Sequence, residues 1–153
     1  MLPKLIAHRG NTDGPNQAEN NPDYLLKTLD LGYDCEVDIW VINGKIFLGH
    51  DNPLYSVEED FIHTPKFWFH AKNLEALDFM LQKSVPCFWH ENDQYTLTSN
   101  GFIWANIHMP VTSKTIIVVP DIESGIKKIK ELPYGICSDY VSYWQSDKLA
   151  ISH

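Results

Sequence analysis

Hydrophobic positions along this chain fall in short runs. Apolar or strand-forming segments occupy residues 4–7, 35–41, 45–48, 66–69, 85–89, 102–105, 115–119 and 135–137, each the length of a single β-strand. Between some of them the apolar spacing becomes helical: Tyr24, Leu25 and Leu29 within 22–31, Leu74, Leu77, Met80 and Leu81 within 73–83, and Ile126, Ile129 and Leu132 within 123–132. Asn21 ahead of Pro22, and Asp121 ahead of the third stretch, carry side chains suited to capping a first helical turn. Strands alternating with helices predict an α/β fold with a mostly parallel sheet. Asn43-Gly44 predicts a two-residue hairpin. The interval between residues 105 and 115 is too short for a full helix, so the architecture must be economical. An ordinary eight-stranded α/β barrel needs about 250 residues, against 153 here. An eight-strand reading therefore requires several helices to be shortened or missing, and an open sheet of fewer strands competes with it.

The polar residues favour the barrel. Read to their C-terminal ends, the segments finish in His8-Arg9, Glu36 and Asp38, His50-Asp51, His70 and Lys72, His90-Glu91, Asn106 and His108, Asp121, and Ser138-Asp139. A parallel barrel gathers such residues at one mouth, the face where these folds carry their active sites; an antiparallel sheet scatters them over two edges. Glu36 and Asp38 lie two apart on one strand and so point the same way. Two unpaired carboxylates facing an interior are costly, and a raised pKa or a bound cation relieves them. His50 is less simple: counted across the Asn43-Gly44 turn, it stands opposite Val37, on the face away from both carboxylates, so joining them requires a bulge or a crossover. Trp89 and Trp104, beside polar strand ends, are candidates for core packing and for lining a substrate pocket.

Composition narrows the setting. At 44% hydrophobic and 21% charged residues, the chain reads as one soluble domain over 1–153, large enough to fold without a structural metal or crosslink. The formal charge of −8 has no basic cluster to offset it, so neither a nucleic acid nor an anionic membrane is an expected partner. His8-Arg9 interrupts the first apolar run before a signal-peptide core or a membrane span is complete, which predicts a cytoplasmic protein with no integral membrane segment. The 3 cysteines, Cys35, Cys87 and Cys137, sit in apolar surroundings and are expected to be free and buried.

The succession Ile6-Ala7-His8-Arg9-Gly10, Glu19-Asn20, Glu36-Val37-Asp38 and Gly49-His50-Asp51 resembles the glycerophosphodiester phosphodiesterase family, whose motifs run His-Arg-Gly, Glu-Asn, Glu-x-Asp and His-Asp in the same order. Later, His70-Ala71-Lys72 resembles its Glu-x-Lys strand and Ile136-Cys137-Ser138-Asp139 its closing Thr-Asp strand. The resemblance implies a compact (β/α)8 TIM-type barrel, shared with phosphatidylinositol-specific phospholipases, that cleaves a small or lipid-derived phosphodiester with one divalent cation, magnesium or calcium. Carried over position by position, it makes His8 and His50 an acid/base pair, Glu36 and Asp38 metal ligands, Arg9 and Lys72 phosphate-binding cations, and Glu19 a support for Arg9. The third ligand of the family is a glutamate, and here that position is His70. Imidazole adds no negative charge and moves preference towards manganese, cobalt or zinc. Two alternatives to hydrolysis follow: a lyase releasing a cyclic phosphate, and a catalytically silent barrel that binds a phosphorylated ligand.

Overall fold

The computed structural model describes residues 2–122 and 131–145; the helix expected over 123–132 thus falls almost entirely outside the described residues. Ten described strands form one sheet: β1 (Lys4–His8), β2 (Asp34–Ile42), β3 (Lys45–Leu48), β4 (Tyr55–Val57), β5 (Phe67–Ala71), β6 (Cys87–Phe88), β7 (Tyr95–Leu97), β8 (Ile103–Asn106), β9 (Thr115–Val119) and β10 (Gly135–Ser138). The described helices are α1 (Pro22–Asp30), the single turn α2 (Glu59–Ile62) and α3 (Leu74–Gln82), followed by a 3₁₀ turn at Val141–Trp144. Asn21 caps α1 as expected, its side chain accepting from the N–H groups of Asp23 and Tyr24, and Asn73 caps α3 through the N–H of Ala76. No described helix is long and apolar enough to cross a membrane.

Parallel pairing links β6, β5, β2, β1, β10, β9 and β8 in that spatial order. Antiparallel pairing adds β3 and β4 beyond the end of β2, and β7 beside β8. The fold is therefore mixed α/β with a mostly parallel sheet and few helices. Two strands were not legible in the sequence, β4 and β7, each three residues long, the first half-buried and the second largely exposed. Segment 45–48, counted among the eight expected strands, is an antiparallel hairpin arm and no part of the parallel run. The ladders do not close: β6 and β7 are the two ends of the series. Hydrogen bonds nonetheless cross between those ends, from the Ser99 N–H to the Cys87 carbonyl (2.8 Å), from the Cys87 N–H to Ser99 Oγ (2.9 Å), and from Thr96 Oγ1 to the Trp89 carbonyl (2.7 Å).

Side chains alternate across the sheet with period two, which divides its residues into two packed faces. One face of β2 and β5 supplies Cys35, Val37, Ile39, Phe67, Phe69 and Ala71, buried against Leu25 of α1 and Ala76 and Met80 of α3. The other face, drawn from β1, β5, β6, β8, β9 and β10, buries Ile6, Trp68, Phe88, Trp104, Ile116 and Cys137 together. The three cysteines are free and buried. The second face carries the polar strand ends, and its apolar layer forms the floor beneath them.

Candidate active site

His8 is the last residue of β1, and the chain turns sharply after it. Gly10 has φ +86°, and any Cβ there would lie 3.1 Å from side-chain atoms of Tyr24 and Leu25 on α1. Thr28 of the same helix donates to the Gly10 carbonyl at 2.7 Å. A positive φ with a helix packed this closely calls for glycine, and the turn holds His8 and Arg9 at the C-terminal rim of the sheet. Glu36 and Asp38, on the same face of β2, are 2% and 1% exposed. Both carboxylates therefore face the interior and not solvent.

His50 reaches the carboxylates because the β2–β3 ladder ends at Gly49. The Gly49 N–H still donates to the Asp38 carbonyl at 3.2 Å, but its own carbonyl accepts from Trp40 Nε1 at 2.7 Å, and the Asp38 N–H pairs with Asn20 Oδ1 at 3.0 Å. With φ +151° and an ideal Cβ position 1.9 Å from the Asn52 carbonyl oxygen, residue 49 has no room for a side chain. Past this break the chain leaves the hairpin register, and His50 Nδ1 comes to 3.4 Å from Asp38 Oδ2.

One cavity of about 120 Å³ is lined by His8, Arg9, Glu36, Asp38, His50 and His70, with Phe88, His90, Trp104, Asn106 and Val118 on its other side. His8 Nδ1 lies 2.9 Å from Asp139 Oδ1, and its Nε2 faces Glu36 Oε2 at 3.7 Å. Arg9 Nη1 donates to Glu19 at 3.1 Å while Nε lies 3.4 Å from Asp38 Oδ2; Glu19 also takes the Asn11 amide at 2.9 Å. His70 Nδ1 stands 3.2 Å from Asp38 Oδ1 and 3.8 Å from Glu36 Oε1.

Two neighbouring carboxylates in one buried place behave differently. Burial, followed by the charge of Asp38, pushes the Glu36 carboxyl up. Burial also acts to raise Asp38, but the facing imidazoles of His50 and His70 and the Asn20 amide outweigh it and hold Asp38 well below the usual carboxylate range. Burial opposes charge on His8 too, and there the Asp139 hydrogen bond and the Glu36 charge prevail, raising it. Asp139 is lowered in turn, since His8 and Asn11 overcome its burial.

Of the residues expected from sequence, His8, Arg9, Glu36, Asp38, His50, His70 and Trp104 meet at the cavity, and Glu19 braces Arg9. Lys72 and Trp89 do not line it. Lys72 shares the face of His70 one step nearer the rim, with its N–H on the Ile39 carbonyl and its ammonium in no ion pair among the described residues. Trp89 is 38% exposed, turned out beyond the end of β6, whereas Trp104 stacks on Phe88 at 4.4 Å in the floor. His108 and Glu91 are exposed. Sequence reasoning gave no role to Asp139, Asn11, Asn20 and His90. Asp139 and His90 were visible as strand-end residues and Asn20 stood in the Glu19-Asn20 motif without a role of its own; Asn11, in the loop after β1, carries no such signal.

Glu36, Asp38 and His70 each offer one ligand atom, all within 4.8 Å of one another. The fit to a cation has a direct test in hydrogen bonding. Asp38 Oδ1, though buried, has no hydrogen-bond partner among the described residues. His70 Nε2 is 2.9 Å from the His90 carbonyl oxygen, an acceptor that fixes a proton on Nε2; Nδ1, which faces the carboxylate oxygens, offers a lone pair to a cation once it carries no proton of its own. Lone pairs converging on one point suit a positive ion, and a ligating imidazole ordinarily spends its other N–H in this way. Comparison of the chain with protein-family models, with curated proteins and with solved structures finds no match.

Proposed function

We propose that this protein is a metal-dependent phosphodiesterase of the glycerophosphodiester type, built on a contracted (β/α)8 barrel, hydrolysing a small or lipid-derived phosphodiester. The observation that carries the reading is the meeting of two imidazoles, a guanidinium and a metal-ligand triplet around one cavity of about 120 Å³. Seven strands in one parallel series, with hydrogen bonds crossing between β6 and the segment after β7, support the barrel. A cavity this small suits a phosphoryl group and an ion, with both alcohol groups directed outward.

Glu36, Asp38 and His70 would hold the cation. When bound, it supplies positive charge for a nonbridging phosphoryl oxygen and lowers the pKa of a bound hydroxyl group or water. Arg9, held by Glu19 and Asp38, presents its planar fork to the phosphate. His8 spends Nδ1 on Asp139, so the proton it exchanges is at Nε2, facing the cavity. His50 faces the same cavity from the opposite flank of Asp38. One imidazole takes the proton from the attacking water and the other returns a proton to the departing alkoxide as the P–O bond breaks. Lys72, at the rim, supplies a further positive charge to the incoming diester.

The test is turnover of bis(4-nitrophenyl) phosphate and glycerophosphocholine by the full chain across a series of divalent cations, followed by ³¹P NMR. The expected product is a linear monoester; a cyclic phosphate would reassign the protein as a lyase. Absence of turnover with every cation, alongside tight binding of phosphate, would overturn the reading in favour of a silent phosphate-binding protein.

A further inference from the structure

We infer that the site made by Glu36, Asp38 and His70 selects a first-row transition dication, of the manganese, cobalt and zinc class, and discriminates against calcium. The inference rests on the reading that this triplet holds a cation, and it follows from how the surroundings consume the remaining ligand atoms.

Asp38 could in principle lend two oxygens. Its Oδ2 is already engaged, accepting the Asn20 amide at 2.9 Å, with Arg9 Nε and His50 Nδ1 each 3.4 Å away. The oxygen left over is Oδ1, without a hydrogen-bond partner on a side chain 1% exposed. Glu36 is restricted in the same way. Its Oε2 accepts the Arg9 backbone N–H at 3.2 Å and faces His8 Nε2 at 3.7 Å, which leaves Oε1 on the side of His70. Chelation through both oxygens of either carboxylate would bring the ion against an oxygen that already accepts from Asn20 or the Arg9 backbone and faces Arg9, His50 or His8.

The third donor is nitrogen and is locked. The His70 ring lies parallel to Phe88, 5.1 Å between centroids and 10° between planes, and its Nε2 is tied to the His90 carbonyl at 2.9 Å. Only Nδ1 faces the carboxylates. The protein thus offers two single oxygens and one imidazole nitrogen, with the Arg9 guanidinium offsetting part of the negative charge. Calcium takes roughly six to eight oxygen ligands, commonly with chelating carboxylates, and this donor set denies it both. First-row transition ions accept nitrogen readily and tolerate a low ligand number completed by water or substrate.

The experiment is direct binding to the metal-free full chain, without substrate, by titration calorimetry with manganese, cobalt, zinc, calcium and magnesium, together with the visible absorption spectrum of bound cobalt. Cobalt and zinc are expected to bind at least about 100-fold tighter than calcium. His70→Gln should weaken cobalt and alter its spectrum as nitrogen leaves the coordination sphere, and His70→Glu should narrow the gap by strengthening calcium. Circular dichroism and thermal melting establish that each variant is folded, and His70→Gln serves if His70→Glu is not. Calcium binding as tightly as cobalt, or a cobalt spectrum unchanged in both variants, overturns the inference. Cobalt bound through His70 in a protein that hydrolyses no phosphodiester would uphold this site while removing the activity proposed for it.

Discussion

The two ends of the parallel strands form a natural comparison. At the N-terminal end lies a large cavity of about 830 Å³, beside Lys4, Tyr33, Asp34 and Tyr134. At the C-terminal end lies the small one, about 120 Å³. Size favours the first as a binding site, and the state of the polar groups favours the second. Asp34, 6% exposed, is held by partners: Trp68 Nε1 donates to its Oδ2 at 2.9 Å, and the Lys4 ammonium lies 3.5 Å from the same oxygen. At the C-terminal end, Arg9 Nε, Asp38 Oδ1, His50 Nδ1 and His90 Nδ1 are buried without hydrogen-bond partners among the described residues. Buried polar groups normally form hydrogen bonds; these four have only charge contacts outside hydrogen-bond geometry, and all of them surround one small space. Trp144 Nε1 is likewise buried without a hydrogen bond among the described residues and does not line the cavity, so it is the clustering of such atoms around one space, and not their occurrence, on which the proposed chemistry rests.

The largest expected effect follows from removing an imidazole at the C-terminal end. His8→Ala or His50→Ala should lower phosphodiester turnover by about 10²–10⁴-fold with the fold retained, His8→Ala at some cost in melting temperature because Asp139 loses its partner. Wild-type turnover in a folded variant of either would break the contrast between the two ends.

Gly49→Ala tests how the hairpin delivers His50. Its Cβ would stand 1.9 Å from the Asn52 carbonyl oxygen at φ +151°, and the loop must shift. The expectation is a loss of at least about 2 kcal/mol in stability, from backbone strain and the clash together, with turnover falling in the molecules that remain folded. Denaturant unfolding beside an activity assay reads both; unchanged stability would mean that the Gly49 turn is not rigid.

Asp34→Ala addresses the other end. It leaves the buried Trp68 Nε1 without an acceptor, at a cost of about 1–3 kcal/mol, and turnover per folded molecule should stay the same. A loss of turnover with full stability would show that the large cavity, not the small one, serves the reaction.

The smallest effect is a pH dependence in the chelated protein. Glu36 is raised in the folded state by burial and by Asp38, so the native protein holds this proton more tightly than the unfolded chain does. Its contribution is intact below the ordinary glutamate value of about 4.3 and is lost as pH rises above it. The melting temperature without metal should therefore fall from pH 5 to pH 8, and Glu36→Gln should flatten the slope. Identical slopes in the two proteins would show that the carboxylate is relieved in some other way.

Much of this arrangement was legible in the chain. Alternation placed Glu36 and Asp38 on one face because successive strand residues point opposite ways, and the structure places both on the buried side. The helices of 22–31 and 73–83 are observed as α1 and α3 on the strength of their periodicity, the first reinforced by the cap Asn21, while Asn73, counted inside the second stretch, is its cap. What failed did so for local reasons. β4 and β7, three residues each, are too short to leave a pattern. Lys72 and Trp89 share the strand-end signal of the site residues, but composition does not say how far along a strand the cavity reaches.

The sequence by itself determined which residues stand near strand ends and, within a regular strand, which side each takes, because both follow from backbone geometry within a few residues. Which strand ends meet was decided only by the tertiary structure. Asp139 reaches His8 across 131 residues through the parallel pairing of β1 with β10. His50 joins Asp38 against the hairpin count because the Trp40 indole draws the Gly49 carbonyl out of the ladder. Hydrogen-bond partners distant in sequence, and one main-chain carbonyl turned aside, set those contacts, and no local pattern of hydrophobic and polar residues encodes them.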